Sequence, residues 1–241
     1  MRNDTQAKYN VWHDVHAIDE GAGTPWHTLL KKHLHLERDV QGKAILEIGC
    51  GRGGFSCWLA QQSARTSRHV AADLSEVAIR KARAHAEENR LEHVEWEVAD
   101  IQRLSYGSQM FDTIFSLETV EHVSDPVAAI RELIRVLRPD GTLFLTVPNY
   151  LGTFGLYRCY LRLCGRTFTE EGQPINHALI LPQVLRWLRQ EGMVIERVDA
   201  EGHYLLLPVL GAMRLPFLDS FRPLLKWFAL HSFIRARKAS S

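Results

Sequence analysis

Short apolar runs alternate with helix-patterned segments through the first 150 residues, and this alternation restricts the fold more than any other feature. Five runs have the length and composition of buried strands: KAILEIG, RHVAAD, HVEWEVAD, FDTIFSL and TLFLTVPN. Strands that alternate with helices form right-handed βαβ units, in which helices cover both faces of a parallel sheet. The sequence therefore predicts a three-layer α/β/α fold.

Two of the intervening segments carry the start signals of helices. In SEVAIRKARAHAEENR, Ser75 is the expected N-cap, and Glu76 lies in the first turn, where the helix dipole favours an acid. In the second segment, Asp125 is the expected cap, Pro126 takes the first helical position, and apolar residues recur at helical spacing. Further along, LPQVLRWLRQEG predicts another helix and MVIERVDA a sixth strand.

Composition and charge exclude several classes of protein. A chain of 241 residues, 46% hydrophobic and 24% charged, predicts a single globular domain over residues 1–241. Because 29 basic residues face 28 acidic ones, we expect no nucleic-acid partner. The polar N-terminus and the absence of an apolar stretch of about 20 residues favour a cytoplasmic protein. The four cysteines match no zinc or disulfide spacing and are expected to be reduced core thiols.

A glycine-rich turn joins the first strand to the next helix in ILEIGCGRGGF. Glycines let the backbone turn sharply and approach a ligand closely, because no Cβ intervenes. Gly49, Gly51 and Gly54 fit the dinucleotide spacing G-x-G-x-x-G. The same turn, with Glu47 in front and Gly53 as its last glycine, fits E-x-G-x-G-x-G. On its own, the turn leaves the identity of the cofactor open.

Acids at the ends of three successive strands separate these alternatives. Glu47 ends the first strand, where a carboxylate attracts an ammonium group and repels a pyrophosphate. Asp73 ends the second strand, where it can accept both ribose hydroxyls, and Asp100 ends the third, where it can accept from an adenine amino group. Ligands of such sheets bind beyond the carboxyl ends of the strands. The three acids therefore favour a small cationic nucleoside over a dinucleotide.

From about residue 42 to residue 149, the chain resembles a class I S-adenosylmethionine-dependent methyltransferase, with EIGCGRG as the cofactor loop, AADLS after the second strand and VADI after the third. The stretch FDTIFSLETVEHVSDP, followed by a helix and LRPDGTLFLTVPN, is similar to the branch that includes the ubiquinone-biosynthesis O-methyltransferases. The resemblance implies a Rossmann-like, seven-stranded mixed sheet whose last strand is antiparallel, with added N- and C-terminal helical segments. It implies S-adenosyl-L-methionine as cofactor and a small or lipophilic metabolite as methyl acceptor, with a hydroxyl oxygen as the expected target.

The resemblance also implies roles for single residues. The methionine moiety would lie against Gly49 and Gly51, and the backbone of Leu117 would face its amino group. The nucleoside would be held by a second group: Asp73 at the ribose, Leu74 on the adenine face, and Asp100 with Ile101 at the adenine edge. Relatives often carry an Arg in the N-terminal helix near the cofactor. This chain has none in TPWHTLLKKHLHLER before Arg38, and His27 or Lys31 could replace it.

A hydroxyl acceptor requires a base, and a histidine is best suited because its pKa lies near neutrality. His122 follows the fourth strand in LETVEHV and is the candidate catalytic residue by position, although it could instead order the loop. Glu121 and Glu118 could each act as a base, a metal ligand or a loop-ordering acid. His177 could line the acceptor pocket. No metal site is predicted, because no histidine pair has an obvious third ligand.

Two segments outside the cofactor core, residues 150–180 and 202–241, are expected to form an acceptor wall, a lid or an interface. The C-terminal segment carries six basic residues against Asp219 alone, interleaved with YLLLPVLGAMRLPFL and PLLKWFALHSFI. Such a segment can lie in a membrane interface, which would suit a lipophilic acceptor and a peripheral membrane location. It could equally cover the last strand, form a lid or pack a homo-oligomer.

Two other functions stay open at this stage. A protein that keeps the cofactor fold but has lost catalysis would serve as a binding module or scaffold, since fold does not guarantee activity. An NAD(P)-dependent oxidoreductase would use the same glycine turn, although Glu47 and Asp100 disfavour it.

Overall fold

The computed structural model of the chain describes residues 2–16, 21–62, 65–166, 172–207, 211–221 and 225–240. The α-helices of these residues are α1 (Arg2–Val15), α2 (Pro25–Lys31), α3 (Leu36–Asp39), α4 (Gly54–Ala60), α5 (Glu76–Glu88), α6 (Pro126–Val136), α7 (Thr153–Leu163) and α8 (Leu181–Gln190). Two 3₁₀ helices span Val120–His122 and Pro216–Phe221. The strands are β1 (Ala44–Ile48), β2 (Arg68–Asp73), β3 (Glu95–Val98), β4 (Phe111–Leu117), β5 (Leu137–Pro148), β6 (Met193–Glu201), β7 (Tyr204–Leu207), β8 (Gly211–Arg214) and β9 (His231–Lys238).

Seven of these strands form one mixed sheet in the order β3-β2-β1-β4-β5-β9-β6. Strands β1 to β5 pair in parallel, whereas β9 runs antiparallel to both of its neighbours, β5 and β6. The predicted seven-stranded mixed sheet with an antiparallel last strand is thus confirmed. β7 and β8 form a separate two-stranded hairpin.

The strand and helix boundaries predicted from local sequence signals agree closely with those of the structure. β2 and β4 coincide with RHVAAD and FDTIFSL, and every residue of β1 is buried, as expected for a strand covered on both faces. Ser75 caps α5 by accepting from the backbone N–H of Ala78. Asp125 caps α6 by accepting from two backbone N–H groups, with Pro126 at the start of the helix. β5 begins at Leu137, directly where α6 ends.

The core lies on both faces of the sheet. Ile114 belongs to the cluster that α6 and α8 cover, whereas its neighbour Phe115 belongs to the opposite cluster with α2 and α4. In that second cluster, Phe115 stacks on Phe144 at 5.1 Å, and Phe144 lies 6.1 Å from Phe233 of β9, measured between ring centroids. Each fully buried ring contributes about 2–3 kcal/mol. Strand β9 therefore contributes to the hydrophobic core through Phe233.

The expectation of a helical C-terminal segment is corrected by the structure. Its described residues form mainly strands, and β9 is inserted into the sheet between β5 and β6. Both arginines of β9 are ion-paired: Arg235 lies 3.0 Å from Asp39 and 2.7 Å from Glu196, and Arg237 lies 2.7 Å from Asp140. The segment forms a strand because its side chains alternate with a period of two: Ile234 and Ala236 are fully buried, and each is followed by one of these arginines.

The cysteine prediction is half wrong. Cys50 and Cys57 are buried free thiols, but Cys159 within α7 and Cys164 just after this helix are exposed. None of the helices formed by the described residues combines the length and the apolar character needed to cross a bilayer.

Candidate active site

A cavity of about 260 Å³ lies at the carboxyl ends of the central parallel strands. The structure brings all nine predicted site residues together along its wall: Glu47, Gly49, Gly51, Asp73, Leu74, Asp100, Ile101, Leu117 and His122. They come from four different strand ends and the turns after them, which explains why residues far apart in the chain meet here.

The three glycines of the turn are required for different reasons. Gly49 and Gly53 have left-handed φ angles of +79° each, and a Cβ would lie 2.2 Å from Thr119 Oγ1 at the first and 2.5 Å from the Trp96 ring at the second. Their role is therefore close packing against the protein itself. Gly51 also has a positive φ, +52°, but a Cβ there would approach only Cε1 of His13, at 3.7 Å. Gly51 keeps the cavity open.

Asp73 is held rigidly at the end of β2. Its Oδ2 accepts from the backbone N–H of Gly51 at 2.9 Å, and its Oδ1 accepts from that of Ser75 at 2.8 Å. A carboxylate has about four acceptor positions, so each oxygen can accept one more hydrogen bond from a hydroxyl in the cavity. The carboxylate is thus oriented in advance for a diol such as a ribose.

The other two predicted acids are also fixed by neighbouring groups. Asp100 Oδ1 accepts from the backbone N–H of Gln102 at 2.9 Å, and Ile101 beside it is buried. Glu47 lies within β1, one residue before its end, and its Oε2 accepts from Ser56 Oγ. Both carboxylates therefore face the cavity from defined positions.

Helix α1 forms one wall of the cavity with residues that the sequence analysis did not single out. Tyr9, Trp12 and His13 of α1 all line the cavity. The helix is tied to the cofactor side of the sheet, since Ser75 Oγ donates to Asn10 Oδ1 at 2.8 Å and Lys81 Nζ donates to the carbonyl oxygen of His13 at 3.0 Å. The helical spacing of Tyr9, Trp12 and His13 was the signal that could have placed them on one face.

The cation of the cavity comes from the glycine turn. Arg52 is the one Lys or Arg among the described lining residues, and it donates to the carbonyl oxygen of His13 at 2.8 Å. His27 lines the cavity, but burial lowers its pKa to about 3 and it is neutral. Lys31 does not line the cavity; its Nζ donates to the carbonyl oxygen of Ala22 and lies over the Trp58 ring. Arg52, like Tyr9, Trp12 and His13, was not predicted from the sequence as a residue of the site.

His122 lies in the 3₁₀ helix after β4, with its ring orientation fixed. Its Nδ1 is 2.8 Å from the carbonyl oxygen of Ile175, which can only accept, so Nδ1 carries a proton. In the neutral ring, Nε2 then holds the lone pair, and it lies 3.6 Å from Glu121 Oε1. Tyr9 donates its hydroxyl proton to the carbonyl oxygen of His122 at 2.8 Å. This is the tautomer that a base acting through Nε2 requires.

Glu118 occupies a strained position at the end of β4. It adopts a left-handed φ of +48°, which is unfavourable for a residue with a Cβ. Its Oε1 is buried without a hydrogen-bond partner among the described residues, and its Oε2 lies 3.8 Å from His231 Nδ1. A buried acceptor of this kind on a cavity wall fits a ligand that brings a donor or a positive charge.

The charge of the cavity fits the predicted cofactor. Five carboxylates line it, against one guanidinium among the described residues: Glu47, Asp73, Asp100, Glu118 and Glu121. Such an excess of acid attracts a ligand with a sulfonium and an ammonium group and repels a pyrophosphate. Within the described part of the chain, no three His, Cys, Asp or Glu side chains are grouped to hold a metal ion.

The segment 150–180 reaches the site mainly through its backbone. The carbonyl oxygen of Ile175 contacts His122, and the backbone N–H of His177 donates to the carbonyl oxygen of Glu121 at 2.9 Å. Gln173 lines the cavity, but His177 does not. The prediction for His177 is therefore corrected: its backbone, not its ring, serves the site.

Comparison with known proteins gives a consistent result. Residues 46–145 match a family described as a methyltransferase domain. The chain is 31% identical over 166 residues to the ubiquinone biosynthesis O-methyltransferase of Neisseria meningitidis serogroup A, with 68% of each chain covered. It is 34% identical over 118 residues to the protein of that name from Coxiella burnetii, with 49% of each covered. The chain thus spans about half the length of the first curated relatives it matches.

A solved structure shares the fold. The S-adenosylmethionine-dependent methyltransferase from Mesorhizobium loti superposes with a TM-score of 0.61 at 20% identity, covering 90% of this chain and 99% of that one.

Proposed function

We infer the reaction from the family, since the chain belongs to the class I S-adenosylmethionine-dependent methyltransferases, and we propose that it transfers a methyl group to a hydroxyl oxygen of a small or lipophilic metabolite. The observation that carries the proposal is the arrangement of one acid-rich cavity beside a histidine whose Nδ1 proton is engaged by a backbone carbonyl. The O-methyltransferases among the relatives support oxygen as the target.

The cofactor side of the cavity is proposed to bind S-adenosyl-L-methionine, which supplies an electrophilic methyl group. Asp73 accepts from the ribose hydroxyls, and Leu74 packs on the adenine, whose edge Asp100 and Ile101 bind. Glu47 faces the ammonium group. The backbone at Gly49, Gly51 and Leu117 encloses the methionine moiety. Holding the acceptor in line with the methyl group supplies much of the rate enhancement, because displacement at a sulfonium needs mainly correct geometry.

His122 is proposed as the general base. Its Nε2 takes the proton of the acceptor hydroxyl, while the Ile175 carbonyl keeps the ring in the required tautomer. The carboxylate of Glu121, 3.6 Å from Nε2, then stabilises the imidazolium that forms. Tyr9 stays a hydrogen-bond donor because burial raises its pKa, and it anchors the backbone of His122.

The first test is calorimetry with S-adenosylhomocysteine, with NADH as the control ligand, followed by a mass-spectrometric screen for methyl transfer to lipophilic phenols. We expect binding of S-adenosylhomocysteine alone, and a product heavier by one methyl group that is stable to conditions that cleave methyl esters. Binding of NADH alone would support the oxidoreductase instead. Binding of S-adenosylhomocysteine with no transfer to any acceptor would favour the noncatalytic module.

We also propose peripheral contact with an anionic membrane, through what we call the α7 face: Leu156, Tyr160 and Leu163. Leu156 is 71% exposed and Leu163 is 88% exposed, one helical stripe on the outside of α7. Phe228, also exposed, adjoins this helix, because its carbonyl packs against Gly152. The cations Arg162 and Lys226 accompany these apolar side chains, as in interfacial segments.

Vesicle flotation tests this contact. The variant Leu163→Glu should reduce binding to vesicles that contain phosphatidylglycerol, while the matched variant Val11→Glu, which adds the same charge to an exposed apolar position on α1, should bind like wild type. Equal flotation of both variants would refute the membrane surface. Analytical ultracentrifugation of the same variants tests whether the α7 face is a homo-oligomer interface instead.

A further inference from the structure

Three buried polar side chains form a hydrogen-bonded chain that ends at the cofactor cavity. His69 lies on β2, Ser56 on α4 and Glu47 on β1, so the chain joins three neighbouring elements. Ser56 Oγ donates to Glu47 Oε2 and lies 3.0 Å from His69 Nε2. Glu47 lines the cavity, whereas Ser56 and His69 do not. The two inner residues therefore act on a ligand only through Glu47.

The chemistry of the three side chains decides which group donates and which accepts in each hydrogen bond. An ionised carboxylate can only accept, so the single hydroxyl proton of Ser56 is used toward Glu47. The hydroxyl oxygen must then accept from His69, which places a proton on Nε2 of that ring. Burial lowers the pKa of His69 to about 3, so the ring is neutral and holds this one tautomer toward Ser56.

We propose that Ser56 and His69 are positioning residues that hold the Glu47 carboxylate for the ammonium group of the cofactor's methionine moiety. The inference rests on the proposed function and extends it to two residues away from the cavity. A buried carboxylate is costly unless donors compensate its charge, and successive hydrogen bonds polarise one another. His69 and Ser56 supply such donors on the side of Glu47 turned away from the ligand.

In this proposal, different carboxylates face the two halves of the cofactor. Glu47 is placed to face the amino-acid part, while Asp73 and Asp100 are placed to face the nucleoside. Loss of the Ser56 donor should therefore weaken binding only of ligands that carry the ammonium group. A packing role for Ser56 would instead disturb α4 and the adjoining glycine turn, and would weaken every ligand of the cavity alike.

Calorimetry with two ligands distinguishes these possibilities. S-adenosylhomocysteine carries the ammonium group, whereas 5′-methylthioadenosine has the same nucleoside and sulfur without it. For Ser56→Ala we expect the Kd of S-adenosylhomocysteine to rise about tenfold, as for loss of one hydrogen bond to a charged group, and the Kd of 5′-methylthioadenosine to stay within about twofold. His69→Leu should show the same selectivity with a smaller rise.

Cys57→Ala is the matched control, because Cys57 is the buried neighbour of Ser56 on α4 and lies outside the chain of hydrogen bonds. It should leave both affinities near wild type, and melting curves identify variants that fail to fold. Unchanged binding of S-adenosylhomocysteine by Ser56→Ala, or an equal loss for both ligands, would overturn the inference. Failure of the wild type to bind S-adenosylhomocysteine would instead overturn the proposed function, and this inference with it.

Discussion

The two sides of the cavity are built in different ways. On the cofactor side, each functional group sits at a strand end or in the turn after it, and its fixing contacts come from its own turn or from a neighbouring element, such as those of Ser75 and Gly51 with Asp73. On the acceptor side, the fixing contacts join distant segments. Tyr9 contacts His122 across 113 residues, and His122 contacts Ile175 across 53.

The cofactor side is built from features of the sheet topology, which many proteins share. The acceptor side is built from segments outside the sheet, which are particular to this chain. The parallel strands place acids at one edge whatever the outer segments do. The acceptor side depends on α1 and the segment 150–180, which supply the Tyr9 hydroxyl and the Ile175 carbonyl that fix His122. We therefore expect variants on the two sides to differ in what they change: ligand affinity on the cofactor side, and turnover on the acceptor side.

The largest effect is expected at Asp73. Asp73→Ala removes the acceptor that we propose for two ribose hydroxyls, together with the acceptor of the backbone N–H groups of Gly51 and Ser75. Two charge-assisted hydrogen bonds correspond to a loss of about 1,000-fold in affinity, measured by calorimetry with S-adenosylhomocysteine.

Asp125→Ala is the matched control for this variant. Asp125 also accepts from two backbone N–H groups, but it caps α6 away from the cavity. It should cost about 1 kcal/mol of stability with unchanged affinity. Wild-type affinity in Asp73→Ala would refute the ribose assignment.

A smaller effect, confined to turnover, is expected at His122. His122→Gln removes the proposed base at Nε2 and should lower kcat by about 100-fold, while the affinity for S-adenosylhomocysteine changes little. The measurement is single-turnover methyl transfer to the best phenol found in the screen. His177→Gln is the control, because the His177 ring does not line the cavity and only its backbone contacts the site. Equal rates in the two variants would show that His122 only orders the loop.

The strands, the helix caps and the cofactor side could be predicted because each depends on a local pattern. Ser75, Asp125 and the acid at the end of β2 act within a few residues of their own positions. The docking of α1 could not be predicted, since it depends on donors such as Arg52 and Lys81 reaching the carbonyl of His13 from elsewhere in the chain.

β9 is a different case, because its local signal was present but was outweighed. HSFIRARK alternates apolar and polar residues at its end, as a strand does, yet the surrounding Leu, Phe, Trp and Lys residues favoured an interfacial segment. A distant partner decides between a strand and an interfacial segment, because Asp39 pairs with Arg235 across 196 residues. No local pattern contains that information.

The Asp39 pair gives the smallest predicted effect, and it tests how firmly β9 is held. Burial raises the pKa of Asp39, but hydrogen bonds from Arg38, the His35 backbone and Arg235 outweigh burial and hold it below its ordinary value. A carboxyl whose pKa is lower in the folded state stabilises the protein above its unfolded pKa of about 3.9, and this contribution is lost as pH falls through the folded value. Asp39→Asn should therefore lower the free energy of unfolding by about 2 kcal/mol at pH 7. The loss is less than for a buried charge left with no partner, because Arg235 keeps Glu196.

The difference between Asp39→Asn and wild type should shrink below about pH 4, because the unfolded wild-type chain begins to bind a proton at Asp39 there while the folded protein does not. Urea unfolding at pH 7 and pH 3.5 measures both points. Glu95→Gln is the control, since Glu95 forms an exposed pair with Arg68 at the sheet edge and should cost less than about 1 kcal/mol. A gap that stays constant with pH would show that Asp39 stabilises β9 by packing and not by charge.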